Sequence, residues 1–115
     1  MNIQHPSRGD IWLLDLDPTI GREQAGTRPA LVISVDAFNA GPAGLLIVCP
    51  ITNRAKGVRS HVLVEPPEGG LTVQSFVKCE DVRSVSRDRL IRRFGVVAPS
   101  TVHHVELILR VLMGL

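Results

Sequence analysis

The chain has 115 residues, a length that fits one compact domain spanning residues 1–115. Its 44% hydrophobic and 21% charged content excludes an intrinsically disordered chain, and its formal net charge of +2 identifies no partner by itself. No apolar run approaches ~20 residues, which excludes a membrane-spanning helix and a membrane partner. The polar start lacks the apolar stretch of a signal peptide, so we expect a cytoplasmic protein.

Short apolar runs separated by turn residues predict about six β-strands. The run at 30–35 is rich in β-branched residues, which favours a strand buried on both faces. The turn-rich residues 36–44 separate it from the next strand. The predicted strands cover residues 10–16, 30–35, 45–52, 61–65, part of 71–82, and 93–97.

The character of the sequence changes at Pro99. Val102, Val105, Leu109 and Leu112 recur at helical spacing, and Pro99 and Gly114 suit the start and end of a helix. Short strands with frequent turns and one C-terminal α-helix predict a mainly β protein, a small barrel rather than an open α/β sheet. The helix is apolar on more than one face. One face is predicted to pack against the barrel, and a dimer contact would explain the rest.

A polar loop, GREQAGTRP at residues 21–29, separates the first two apolar runs. Arg28 lies beside Pro29 at the mouth of a predicted buried strand, so its base is held rigidly. The planar guanidinium suits a phosphate, because its fork matches two oxygens. Solvated loop residues are the alternative interpretation. The exposure of the loop and its two glycines predict that residues 18–29 move to open or close a site.

Two further segments carry candidate site residues. Thr52 ends a predicted strand and leads into Asn53, Arg54 and Lys56, which together offer a hydroxyl, an amide and cations to an oxyanion. The alternative is a local Ser/Thr turn with solvated charges. In KCED, residues 78–81, Lys78 and Glu80 would point to the same face of a strand.

Local charge is asymmetric although the total is small. Residues 54–59 and 83–93 are basic, and Arg83 opens the second of these stretches. Such patches suit an anionic ligand such as RNA, and a solvated basic face is the alternative.

No cofactor or metal is expected. Cys49 and Cys79 lie in apolar runs without a CxxC motif and are interpreted as small buried hydrophobes. His103 and His104 are adjacent on the predicted helix, whereas His5 and His61 are scattered elsewhere, so no ligand cluster emerges.

Three segments in register resemble the MazF/PemK/Kid family of toxin endoribonucleases. They are RGDIWLLDLDPTIGREQAGTRPALVIS, CPITNRAKG and VKCEDVRSVSRDRL, and the resemblance covers nearly the whole chain. It implies an SH3-like barrel, a homodimer, and metal-independent, sequence-specific cleavage of single-stranded RNA to 2′,3′-cyclic phosphate and 5′-hydroxyl ends. It also implies a cognate antitoxin whose C-terminal segment occupies the RNA groove. DNA would be contacted only through that antitoxin.

The resemblance also assigns roles to residues. The family's loop arginine falls on Arg28, its strand-end threonine on Thr52, and its glutamate and glutamine on Glu23 and Gln24. Lys78, Cys79 and Glu80 take the place of an Arg–Cys–Asp segment that contributes an acid/base pair in one branch, so the base could be Glu23 or Glu80. The histidine that precedes the glutamate in that branch is Arg22 here. The expected RNA-binding residues are Arg22, Gln24, Asn53, Arg54, Lys56, Lys78 and Arg83.

Two other functions remain open at this point. One is a non-catalytic toxin on the same fold, of the gyrase-inhibiting CcdB kind, although those relatives end in Trp–Gly–Ile and this chain ends in Met113-Gly114-Leu115. The other is an SH3-like interaction module, which would need an aromatic groove that a chain with 3% aromatic residues cannot readily supply.

Overall fold

A computed structural model describes residues 5–16 and 26–115 of the chain. Within them, seven β-strands are followed by a long C-terminal helix, which confirms the mainly β prediction. The strands are β1 (Asp10–Asp15), β2 (Thr27–Val32), β3 (Leu45–Thr52), β4 (His61–Val64), β5 (Ser75–Lys78), β6 (Arg83–Ser86) and β7 (Leu90–Val96). The helices are α1 (Asp36–Asn39) and α2 (Pro99–Met113), and 3-10 turns lie at Glu68–Gly70, Cys79–Asp81 and Arg87–Arg89.

The strands pair in the order β4-β5-β3-β2-β1-β7, and β6 pairs with β3. Every pairing is antiparallel. β3 is the longest strand: its first half pairs with β6 and its last two residues pair with β5. Pro50 lies between these two stretches, where a missing N–H costs no bond to either strand. Because β4 and β7 lie at opposite ends of this order, the sheet is an open one with a barrel-like curl.

The central strands are buried on both faces. Side chains alternate along a strand, so Leu31 and Cys49 enter one apolar cluster, whereas Ala30 and Val48 enter another. Residues 30–32 are fully buried, which confirms the expectation for that part of the second predicted strand. α2 covers the first cluster through Val105, which is also fully buried.

The C-terminal helix follows the prediction closely. It begins at Pro99, ends at Met113, and is capped by Gly114 in the left-handed conformation at φ 69°. The C-terminal half of α2 leaves four apolar side chains exposed, those of Leu107, Val111, Leu112 and Met113, and Leu115 beyond the helix is exposed as well. Within the described ranges, no helix is both long enough and apolar enough to cross a bilayer.

Several predicted segments differ in the structure. Residues 71–82 do not form one strand, because β5 ends at Lys78 and the 3-10 turn Cys79–Asp81 interrupts the strand before the chain continues along β3 as β6. The expectation that Lys78 and Glu80 share one strand face is therefore wrong. The turn-rich segment after β2 contains the short helix α1, and the last strand begins three residues earlier than predicted, at Leu90.

A glycine-rich contact locks the 3-10 turn Glu68–Gly70 against β7. Gly70 has a positive φ of 74°, and a Cβ atom there would overlap the carbonyl oxygen of Phe94. Gly95 faces the turn from the other side, where a Cβ atom would come within 2.9 Å of the backbone of Gly69 and Gly70. The turn and the strand can approach this closely only because these positions carry no side chain.

Candidate functional site

The strand register brings Arg28 and Thr52 together. β2 and β3 pair with Ala30 opposite Pro50 and Leu31 opposite Cys49. Continuing that register by two residues places Arg28 opposite Thr52, at the ends where both strands leave the buried core. Side-chain alternation then puts both residues on the same face. The two residues also line the same clefts.

Thr52 is fixed by the local turn that its sequence predicted. Its Oγ1 accepts a hydrogen bond from the backbone N–H of Arg54 at 3.2 Å. Because the oxygen acts as acceptor in this bond, the hydroxyl proton remains available to donate to a ligand. The Ser/Thr turn and the ligand-binding interpretation are therefore compatible, since the turn positions the hydroxyl.

A polar cleft of about 240 Å³ opens beside this pair. Four cationic residues, a threonine, an asparagine and a histidine line it: Arg28, Arg54, Lys56, Lys78, Thr52, Asn53 and His61. Among residues 5–16 and 26–115, no carboxylate lines it. Such a wall attracts anions, and its spacing of guanidinium, ammonium and hydroxyl groups suits phosphate oxygens.

A second cleft of about 170 Å³ shares Arg28, Thr52 and Asn53 with the first and is much more apolar. Leu71, Val73 and Phe94 contribute to its wall. Arg28 and Thr52 therefore stand between a cationic cleft and a partly apolar one. Phosphates suit the first of these environments, and the flat face of a base suits the second.

The far wall of the polar cleft is a second cross-strand pair. His61 of β4 lies opposite Lys78 of β5. Lys78 Nζ forms an ion pair with Asp81 at 2.9 Å, and His61 Nε2 lies 2.8 Å from a carboxylate oxygen of Glu80. Both acids belong to the turn Cys79–Asp81. Because β5 already ends at Lys78, this turn determines which basic side chain each carboxylate contacts.

Glu80 is an ionised, well-bonded carboxylate. Partial burial by itself would raise the pKa of this group, but the hydrogen bonds from the Ser60 hydroxyl, a backbone N–H and His61 outweigh it, and the pKa falls below the usual glutamate value. The Ser60 hydroxyl donates to it at 2.6 Å. Glu80 does not line the polar cleft itself and reaches it through His61.

The structure gathers six of the predicted residues into one cleft. They are Arg28, Thr52, Asn53, Arg54, Lys56 and Lys78. Arg83 lies in β6 opposite Val48, four residues along β3 from Thr52, and does not line the cleft. Arg22, Glu23 and Gln24 lie outside the described residues, as does most of the loop that was predicted to move.

Sequence reasoning missed His61. The histidine opens a short strand and, in the sequence, stands apart from every other candidate. Only the β4–β5 register places it against Lys78, and only the turn at 79–81 brings Glu80 onto its ring. A histidine placed directly after a basic loop, at the first residue of a strand, is the one local signal that could have suggested it.

The two cysteines are buried in the apolar cluster under α2, as predicted. A hydrogen bond with Cys79 and burial both raise the pKa of the Cys49 thiol far above its usual value. An inert, protonated thiol at Cys49 follows. Over residues 5–16 and 26–115, no three His, Cys, Asp or Glu side chains come together as metal ligands would.

Comparisons with known proteins identify relatives of the whole chain. Residues 7–113 match the family model described as PemK-like, MazF-like toxin of type II toxin–antitoxin system. The endoribonuclease MazF9 of Mycobacterium tuberculosis is 40% identical over 96 residues, which are 79% of this chain and 81% of that protein. A crystal structure of MazF from Deinococcus radiodurans superposes with a TM-score of 0.89 at 33% identity, covering 98% of this chain and 100% of that one. A MazE–MazF crystal structure from the same organism gives a TM-score of 0.81 at 33% identity, covering 98% and 99% of the two chains.

Proposed function

Because the chain belongs to the PemK-like, MazF-like family of type II toxins, we propose that it is a sequence-specific, metal-independent endoribonuclease that cleaves single-stranded RNA. The observation that carries this proposal is the cross-strand placement of Arg28 and Thr52 on a cleft lined by four cationic residues. Cleavage of cellular RNA by such an enzyme would inhibit translation and growth. The relatives named endoribonuclease support the reaction class.

RNA supplies its own nucleophile, the 2′-hydroxyl. The protein must align this oxygen with the scissile phosphorus and the leaving 5′-oxygen, stabilise the added charge, and move two protons. The products are a 2′,3′-cyclic phosphate and a 5′-hydroxyl. Neither aligning the groups nor stabilising the charge requires a metal when fixed cations line the site.

Arg28 is the residue that stabilises charge. Its fork can bind two non-bridging oxygens of the phosphate as negative charge develops on them. A guanidinium stays protonated at any pH near neutral, so Arg28 is a poor proton donor and acts through its charge. Its place at the start of a buried strand holds the base of the side chain in one position.

Thr52 supplies a directed hydrogen bond. Since its oxygen already accepts from the Arg54 amide, the hydroxyl proton is oriented away from the turn, toward a phosphoryl oxygen. Asn53, Arg54, Lys56 and Lys78 extend the cationic track along the RNA backbone. Glu23 or Glu80 serves the proton transfer, either directly or by orienting the group that takes the proton, and Arg22 and Gln24 contact bases from the loop.

We propose two protein partners. A cognate antitoxin segment would occupy the cationic cleft, and the MazE–MazF structure of the D. radiodurans relative supports a partner of that kind. A second copy of this chain would cover the apolar face of α2. A groove of about 550 Å³ between the helix and residues 58–60 supports that contact, since Leu107, Ile108, Val111 and Leu112 line it.

The test is cleavage of a long single-stranded RNA in the presence of EDTA, comparing the wild type with Arg28→Ala and Thr52→Ala. We expect EDTA-resistant cutting by the wild type, cyclic phosphate ends, and a loss of about 100-fold or more in each variant. Mapping the ends would give the recognition sequence. If the folded, antitoxin-free wild type cuts no RNA, the proposal is wrong, and inhibition of DNA gyrase is the activity to assay next.

A further inference from the structure

We infer that His61 is the group that takes the proton from the RNA 2′-hydroxyl, with Glu80 as the residue that orients it. This inference rests on the proposed ribonuclease function. Three observations carry it: the place of His61 in the cleft wall, its bond to Glu80, and the state of its second ring nitrogen.

The place of His61 is the first observation. It lines the polar cleft together with Arg28 and Thr52, the pair that would hold the scissile phosphate. Its cross-strand partner is Lys78, another cleft residue. His61 is therefore the one imidazole that the described residues present to the cleft.

The bond to Glu80 is the second observation. His61 Nε2 lies 2.8 Å from the Glu80 carboxylate, and that carboxylate also accepts from Ser60 at 2.6 Å. An ionised carboxylate accepts hydrogen bonds only, so Nε2 carries the proton. Since the bond made by one ring nitrogen fixes the tautomer, neutral His61 keeps an unprotonated Nδ1.

The third observation is that Nδ1 is buried and has no hydrogen-bond partner among residues 5–16 and 26–115. Only 4% of the His61 side chain is exposed. A buried acceptor without a donor is unfavourable and calls for an explanation. A hydroxyl group of the substrate is the donor that this geometry accommodates. Because Nδ1 is shielded, RNA must open a path to it, and the exposed Arg54 and Lys56 of the same cleft are the side chains free to move.

Nδ1 takes the proton of the 2′-hydroxyl while the 2′-oxygen bonds to phosphorus and the bond from phosphorus to the 5′-oxygen breaks. The leaving oxygen takes up one proton from solvent water to become the 5′-hydroxyl, and His61 returns the proton it took to solvent, so no net proton is gained or lost. Glu80 stays ionised throughout and stabilises the imidazolium, so it acts as a positioning residue.

The decisive variant is His61→Gln. The amide nitrogen of glutamine can replace Nε2 and donate to Glu80, but glutamine has no group that takes up a proton near neutral pH. A purely structural role for His61 would therefore be rescued by glutamine, and a proton-transfer role would not. We expect kcat to fall by about 100-fold or more. Affinity for an RNA with a 2′-deoxy scissile ribose should change by no more than about twofold, because that analogue has no proton to transfer.

A pH–rate profile of the wild type, compared with two variants, tests the same inference by a second measurement. A base must be neutral to act, so wild-type kcat should rise with pH through the range in which imidazole titrates, and this rise should be absent in His61→Gln. The charged groups around His61 are Glu80 on the turn, which is bonded to the ring, and the cleft residues Lys78 on β5, Arg28 on β2, and Arg54 and Lys56 on the loop after β3. His103→Gln, an exposed histidine on α2, is the matched control and should cleave like the wild type.

Two results would overturn the inference while leaving the ribonuclease function intact. One is a folded His61→Gln enzyme that cleaves within about threefold of the wild-type rate. The other is a wild-type profile that is flat from about pH 5 to pH 8. If wild type itself cuts no RNA, the proposed function fails first.

Discussion

His61 and Lys78 are cross-strand partners at the start of β4 and the end of β5, and one short turn supplies an acid to each of them. Glu80 bonds to the histidine and Asp81 to the lysine. Adjacent acids on a strand would point to opposite faces, whereas the 3-10 turn lets consecutive residues serve both. The turn therefore determines the charge on the far wall of the cleft.

Thr52 should be replaceable by serine but not by valine. Thr52→Ser keeps the hydroxyl that accepts from the Arg54 amide and donates onward, so kcat/KM should stay within about tenfold of wild type. Thr52→Val has nearly the same shape without the hydroxyl, and removing one donor to developing charge should cost about 100-fold or more. Initial rates on a short RNA that contains the mapped site would measure this. Equal activity of Ser and Val variants would contradict the role given to the hydroxyl.

Lys56 should contribute to RNA binding through phosphate contacts. Neutralising one phosphate on a single strand contributes about 0.7 to the slope of log K against log salt. Lys56→Ala should therefore weaken binding to uncleavable RNA and reduce that slope by about this amount. Fluorescence anisotropy titrations over a range of salt concentrations would show it. Arg110→Ala on α2 removes a cation that does not line the cleft and should leave the slope unchanged.

The double variant His61→Gln/Glu80→Gln should cleave RNA at a rate within about threefold of that of His61→Gln alone. Residues that act as one unit lose their joint contribution when either is removed, so their effects do not add. Single-turnover cleavage by the two single variants and the double variant closes the cycle. If the two single substitutions add in activation free energy, their fold-losses in rate multiply in the double variant. That result would show that Glu80 acts on the substrate separately from His61.

Glu80 should make the protein sensitive to acid. The pKa of this carboxyl is lowered in the folded state, so the stability it contributes is present at neutral pH and is lost as pH falls through the folded-state value. Between about pH 5 and pH 3, wild type should lose more thermal stability than Glu80→Gln, which has no proton to gain. Thermal melts at several pH values would measure this. Glu65→Gln, at an exposed glutamate, is the control and should follow wild type.

Gly70→Ala should destabilise the fold more than Gly114→Ala. Both positions have a positive φ, which costs a residue with a side chain about 1 kcal/mol. Only at Gly70 would the new Cβ also overlap the Phe94 carbonyl oxygen, whereas Gly114 has open space around it. The excess should exceed about 1 kcal/mol in the free energy of unfolding, measured with urea. Equal losses would mean that the turn at 68–70 shifts away from β7 without cost.

The fold was largely predictable because its signals are local. Apolar runs between turn residues gave the positions of most strands, and the spacing from Val102 to Leu112 gave the helix. Arg28 and Thr52 were also accessible, since each stands at the end of a buried run. What sequence alone could not supply was register: His61 meets Lys78 only through strand pairing, and Arg83 lies outside the cleft because it pairs with Val48, well before Thr52 on β3.

Trp12 gives the protein an optical property that makes each variant easier to judge. It is the only tryptophan in a chain without tyrosine, it is buried in one apolar cluster, and its indole N–H donates to the buried Asp10 at 3.2 Å. Its emission therefore comes from a single environment, where β1 packs against its neighbours. Unfolding moves the indole ring into water and shifts its emission to longer wavelength. This shift reports loss of the core without any label, and it can be read in the same cuvette as the activity assay.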